Sequence, residues 1–188
     1  MLYQHLNLGI PSVLNNLIPL SNTIVHSKLS ILDLNSNFIQ LIESKGLAIG
    51  LIELFKLTPN RQTVWPIHVD GYEITDFPKM NFVYGNKQSP MIWYSVKDAQ
   101  EQITPKYTCV DTQYLEFDKS QVEEAARTLI KNPTIVQAGV PHTVSLEGDF
   151  PRWAVSISFV KDFNLLKFDQ LVDLFAEYKD PTDVYSNH

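Results

Sequence analysis

Four polar side chains stand in an order that chemistry could use. The stretch "WPIHVDGYE" sets His68 and Asp70 two residues apart in an apolar, aromatic frame, and "VPHTV" carries a second histidine, His142. Arg152 follows at the head of "RWAVSISFV". Residues i and i+2 of a strand share a face, so His68 and Asp70 can approach one ion together. Two imidazole nitrogens and one carboxylate oxygen on one side of a metal leave the opposite positions open, a set suited to non-haem Fe(II). Zinc takes the same three ligands, so the pattern marks a site more firmly than it marks the metal. Taken singly, an His-x-Asp pair is more often a polar pair at a strand end. The order is what lifts it above that: the pair sits on an early strand, the second histidine begins a strand near the end, and the arginine opens the next one. His5, His26 and His188 lie in irregular or terminal segments and read as bland.

The strand that begins at Arg152 alternates cleanly. Trp153, Val155, Ile157 and Phe159 point one way, and Arg152, Ala154, Ser156 and Ser158 the other. The first set suits a face packed under helices. The second is small and polar around one guanidinium, which fits either a solvated face or the lining of a cavity that holds an anion.

The elements that must position these residues are mostly strands. "VWPIHVD", "KMNFVYG", "MIWYSV", "TIVQAG", "HTVSLE" and "WAVSISFV" are short, β-branched or aromatic, and bounded by Gly, Pro, Asn or Asp. That pattern predicts a sandwich or barrel. Before them, residues 1–34 read as irregular structure with short strands, 36–45 as a capped helix ending at Gly46, and "GLAIGLIELFKL" as a buried strand, with a helix as the alternative. "DKSQVEEAARTLIKNP" has Ser120 three residues before Glu123, a capping box that predicts a helix stopping before Pro133. A final helix in "FDQLVDLFAEYKD" puts Leu171, Leu174, Phe175 and Tyr178 on one face. The connection from Lys97 to Asn132 is long enough to serve as a lid over a site, with Tyr107, Tyr114, Asp111 and Glu116 as candidate substrate contacts.

With 188 residues the chain is expected to form one domain. Its parts are an N-terminal supporting helix and strands (1–60), a core (61–160) and a C-terminal helix (161–188). The net charge of -6 argues against a nucleic-acid backbone as partner, which needs clustered Lys and Arg. The longest apolar run is interrupted by Glu53 and too short to span a bilayer. The N-terminus lacks the positive region of a signal peptide, and the single cysteine, Cys109, gives no internal disulfide and reads as a small buried or half-buried apolar residue. A soluble, cytoplasmic protein is the expectation. The sequence leaves the oligomeric state open.

The residues that carry this order resemble the Fe(II)- and 2-oxoglutarate-dependent dioxygenase superfamily. Its pattern is His-x-Asp, a long gap, His, and an Arg or Lys about ten residues on. Here it is "HVD", a gap covering residues 71 to 141, "PHTV" and "RWAVSIS". The resemblance covers about residues 60 to 160. It is closest to small single-domain hydroxylases of the aspartyl/asparaginyl hydroxylase-like and phage-encoded types. It implies a mainly β fold with flanking helices, a double-stranded β-helix or cupin-like jelly roll. It implies iron ligation by His68, Asp70 and His142, and a bidentate pair between Arg152 and the distal carboxylate of 2-oxoglutarate. Ser156 shares the strand face of Arg152 and could add a hydroxyl; the family places a Ser or Thr two residues after the arginine, where this chain has Ala154. Asn81 and Tyr94 match positions where polar residues contact the co-substrate, while Trp65 and Trp93 read as core. The implied activity is hydroxylation with O2, as 2-oxoglutarate is decarboxylated to succinate. Its substrate would be a small molecule, a peptide side chain or a modified base. Two other readings stay open. One is a cupin-like metal-binding or isomerase module, which needs no Arg152. The other is a non-catalytic structural jelly roll, which predicts no metal affinity.

Overall fold

A computed structural model describes residues 1–16, 25–59, 64–97, 103, 105–131 and 133–182. In chain order the strands are β1 (Tyr3–His5), β2 (His26–Lys28), β3 (Ala48–Leu57), β4 (Ile67–Asp70), β5 (Pro78–Gly85), β6 (Pro90–Val96), β7 (Pro105–Tyr107), β8 (Gln113–Phe117), β9 (Val122–Leu129), β10 (Thr134–Gln137), β11 (His142–Val144), β12 (Arg152–Lys161) and β13 (Asn164–Leu165). Two α-helices, α1 (Ser36–Ser44) and α2 (Phe168–Leu174), flank them. The fold is mainly β. One antiparallel sheet runs β1-β10-β5-β12-β3-β2, with β13 paired to β12, and the other runs β7-β8-β4-β11-β6-β9. Neither closes into a barrel.

The predicted alternation of β12 decides how the layers stack. Val155, Ile157 and Phe159 are buried in one cluster with Phe38 and Ile42 of α1 and Phe168, Leu171 and Phe175 from the C-terminal helical segment. Trp153 packs at its edge. The helices therefore cover the outer face of the first sheet, as the sequence predicts. Its inner face meets the second sheet through a smaller cluster in which Val83, Val136 and Ala154 face Met91 and Trp93. β3 is a full member of the first sheet, paired along β12 from Arg152↔Leu57 to Val160↔Ala48, so the segment before residue 60 supplies structure as central as the rest.

One predicted helix is a strand. The segment from Asp118 makes a single 3-10 turn (Lys119–Gln121), in which the Asp118 N–H donates to Gln121 Oε1 at 2.7 Å. The capping box thus forms two residues earlier than expected and nucleates one turn. From Val122 the chain pairs with the edge of β6. "EEAAR" is good helix material, but the row of N–H and C=O groups on β6 needs a partner, and that tertiary demand overrides local propensity. The Lys97–Asn132 connection, part of which lies outside the described residues, is likewise more than a lid: β8 pairs along the whole of β4.

Candidate metal centre

His68 and His142 are register partners on adjacent antiparallel strands, β4 and β11. Directly opposed residues share a face, and Asp70 joins them by the period of two along β4. The histidine rings lie 4.4 Å apart, and His68 Nε2 is 3.5 Å from Asp70 Oδ1. One nitrogen or oxygen from each of the three residues lies within 4.8 Å of the others. Both imidazoles are held from behind. His68 Nδ1 is 2.8 Å from the Pro66 carbonyl, and His142 Nδ1 is 2.9 Å from that of Val140. A carbonyl only accepts, so each Nδ1 carries a proton, and each ring when neutral presents the Nε2 lone pair.

The backbone around the cluster is clamped as well. Asp70 N–H donates to Ala138 O and Thr75 N–H to Gly139 O, tying the turn before His142 to the end of β4. Gly139 has no room for a side chain. A Cβ there would sit 2.6 Å from Thr75 O and 2.8 Å from Phe77 N.

Electrostatics sets the charge states. Burial pushes the Asp70 carboxyl up, but the Lys79 ammonium and the hydrogen bond and charge of His68 outweigh it and hold Asp70 well below the usual carboxylate range. Burial pulls His68 down, and the bond and charge of Asp70 more than reverse this, leaving it above its ordinary value. His142 is lowered to about 4, by burial first and then by the neighbouring His68 charge.

Across the gap between the sheets, β12 presents Arg152, Ala154 and Ser156. These line a cavity of about 50 Å³ together with His68, Asp70, His142, Asn81 and Met91. Arg152 is 3% exposed. Among the described residues nothing accepts a hydrogen bond from its Nε, and no carboxylate pairs with it. Burial pulls its guanidinium down to about 10, so it stays charged at neutral pH. Ser156 Oγ donates to Asn81 Oδ1 at 2.6 Å, and Asn81 Nδ2 meets only Met91 Sδ at 4.0 Å. The serine hydroxyl is thus engaged, and the asparagine amide is the group with a donor to spare. A larger cavity, about 670 Å³, opens on the other side of His68 and Asp70. The two share Phe55 and Trp65 as well as those two residues.

The structure brings together His68, Asp70, His142, Arg152, Ser156 and Asn81. It does not bring Tyr94. Trp93 is the residue opposite His142 and takes the inward place, so Tyr94 points outward, packed with Val69, Leu115 and Val122. Trp93 is core as expected, with its Nε1 donating to Gln137 O. Trp65 is a cavity wall instead, with its indole N–H buried and unbonded. Tyr107 and Tyr114 line the larger cavity, whereas Glu116 pairs with Lys106 and accepts from Tyr114, and Asp111 sits in a turn with φ 56°. Cys109 is exposed at that cavity's rim, not half-buried.

Sequence reasoning missed a buried ionic chain beside the cluster. His26 Nε2 lies 3.0 Å from Glu53 Oε1, Lys79 Nζ is 2.6 Å from Glu53 Oε2, and the same ammonium is 2.9 Å from Asp70 Oδ2. His26 is 8% exposed and far from bland. The signal was available: Glu53 and Lys79 are charges inside mostly apolar strands, and buried charges require partners. His5 bonds Thr134 Oγ1, and His188 lies outside the described residues. Among the described residues no helix is long and apolar enough to cross a membrane. Comparison with family models, with curated proteins and with solved structures finds no match.

Proposed function

We propose that the chain is an Fe(II)- and 2-oxoglutarate-dependent oxygenase built on a jelly roll. The observation that carries the reading is Arg152, a guanidinium buried without an anion beside a His-Asp-His cluster. Leaving such a charge buried and unpaired is costly unless a ligand completes it, and a planar fork of donors suits a carboxylate. The strand order supports the fold. With β3, β4, β5, β6, β9, β10, β11 and β12 counted as one to eight, the sheets read 6-3-8-1 and 2-7-4-5. Successive strands then alternate between sheets except at the fourth and fifth, which pair with each other, as two Greek keys wrapped into one sandwich require.

The residues fit the metal. His68 and His142 would hold it through Nε2 and Asp70 through a carboxylate oxygen, a hard and borderline donor set with positions left open. When bound, the metal supplies O2 activation and, with decarboxylation of the co-substrate, the oxidising power for hydroxylation. The chain does the positioning. Arg152 takes the distal carboxylate of 2-oxoglutarate, and Asn81, oriented by Ser156, offers a second donor. The small cavity accommodates that end of the diacid, whose other end reaches toward the cluster. Phe55, Met91, Val136 and Val144 exclude water there. The larger cavity, walled by Phe55, Trp65, Tyr72 and Tyr114, receives the substrate on the open side of His68 and Asp70.

The test is anaerobic titration of the metal-free protein with Fe(II) and 2-oxoglutarate, following the weak visible charge-transfer band of the chelate. The band is expected in the parent and weakened in Arg152→Ala. Metal binding without the band favours a cupin-like module, and no metal binding favours a structural role.

A further inference from the structure

We infer that Lys79 is a positioning residue that keeps the metal centre open, by holding one oxygen of Asp70 and the whole of Glu53 away from the ion. The inference rests on reading His68, Asp70 and His142 as ligands. Lys79 lies on β5 two residues before Asn81, is 4% exposed, and enters the larger cavity. Its ammonium bridges two carboxylates, Asp70 Oδ2 at 2.9 Å and Glu53 Oε2 at 2.6 Å. Asp70 Oδ1 stands on the His68 side, 3.5 Å from Nε2. With Oδ2 on the ammonium, Asp70 offers a metal one oxygen. Glu53 is held at both ends, since its other oxygen meets His26 Nε2 at 3.0 Å.

Without the ammonium, both restraints fail. Asp70 can chelate through two oxygens, and Glu53, buried with only His26 as partner, is drawn toward the cation. Each added oxygen fills a position that a chelating co-substrate needs. The ammonium also repels a divalent ion, so Lys79 weakens metal binding while preserving open positions. An ordinary structural ion pair predicts neither effect. Its loss would loosen the fold and weaken the metal.

The experiment uses the full chain with Co(II), whose visible spectrum reports coordination number and geometry. Lys79→Met is expected to bind Co(II) at least ~10-fold more tightly, the scale on which groups behind the ligands act. Its spectrum should shift toward higher coordination, and 2-oxoglutarate should no longer perturb it. Lys79→Arg, which can still span both carboxylates, should restore the parent spectrum. If Lys79→Met does not fold, Lys79→Met/Glu53→Gln has one buried carboxylate fewer and carries the test, and its spectrum must also depart from that of the parent. A variant with the parent's spectrum and response to 2-oxoglutarate, or with weaker Co(II) binding, overturns the inference while leaving the ligand assignment intact. Failure of the parent itself to bind Co(II) removes the ligand assignment, a distinct result.

Discussion

Replacing Arg152 by methionine should make the ligand-free protein more stable. The guanidinium is 3% exposed, has no carboxylate partner among the described residues, and is pulled by burial below its ordinary value to about 10. The sign follows from linkage. A base whose folded pKa is depressed is charged in both states at pH 7, and the native state carries the full cost there. That cost is relieved only as pH rises above about 10 toward the ordinary arginine range. At 1.36 kcal/mol per unit, this corresponds to on the order of 3 kcal/mol. Methionine keeps most of the aliphatic stem and adds no charge. For a chain of this length, the change is a rise in Tm of roughly 6–12 °C. The assay is thermal and urea denaturation of metal-free parent and Arg152→Met, each repeated with Mn(II) and 2-oxoglutarate. At ~100 times its Kd the diacid should stabilise the parent by about 2.7 kcal/mol and leave the variant unmoved, reversing or closing the gap between them. A variant that is less stable than the parent without ligand, or equally stabilised by the diacid, would falsify the argument that this charge is kept for an anion.

Four further outcomes follow from the same geometry. Asp70→Ala should lose metal affinity on the order of 100-fold or more while remaining folded, because Lys79 keeps Glu53 as partner; isothermal titration with unaltered circular dichroism checks it. Metal affinity should fall about tenfold per pH unit below the raised His68 value, one proton being displaced, because Asp70 is already ionised and His142 contributes a second proton only near pH 4; a two-proton slope between pH 5 and pH 7 would contradict the charge assignment. Gly139→Ala should cost about 2 kcal/mol by pressing on the backbone of Thr75 and Phe77, and should lower metal occupancy with it, since the same turn leads to His142. Tyr94→Phe should leave Fe(II) and 2-oxoglutarate binding unchanged, which the charge-transfer titration reads directly.

Short-range pattern carried a great deal here. The alternation from Arg152 to Phe159 sorted a helix-covered face from a cavity face, and it did so because the pleat has a period of two whatever the partner strands are. The i, i+2 spacing of His68 and Asp70 was legible for the same reason. What lay beyond reach was everything decided by pairing. Nothing local says that Trp93 will face His142, so the outward position of Tyr94 was not legible. "VEEAARTL" has helical propensity and became an edge strand because β6 was there to receive it. The ionic chain from His26 to Asp70 spans β2, β3, β5 and β4, and the charges at Glu53 and Lys79 announced only that partners must exist.

The pairing of His68 with His142 has a consequence for assembly. The two histidines come from strands separated by residues 71 to 141, and under the proposed ligation a single ion between them would close that whole interval. It would act as a reversible cross-link between distant parts of the chain, and closing a long loop removes the most freedom from the open ensemble. Such an ion could be gripped only after β4 and β11 have docked side by side, a non-local pairing of the kind that forms slowly. Metal capture would therefore follow the pairing of β4 with β11. In the loaded protein, amide hydrogens of β4 and β11 should be among the last to exchange with solvent, and in the metal-free protein among those whose protection falls most.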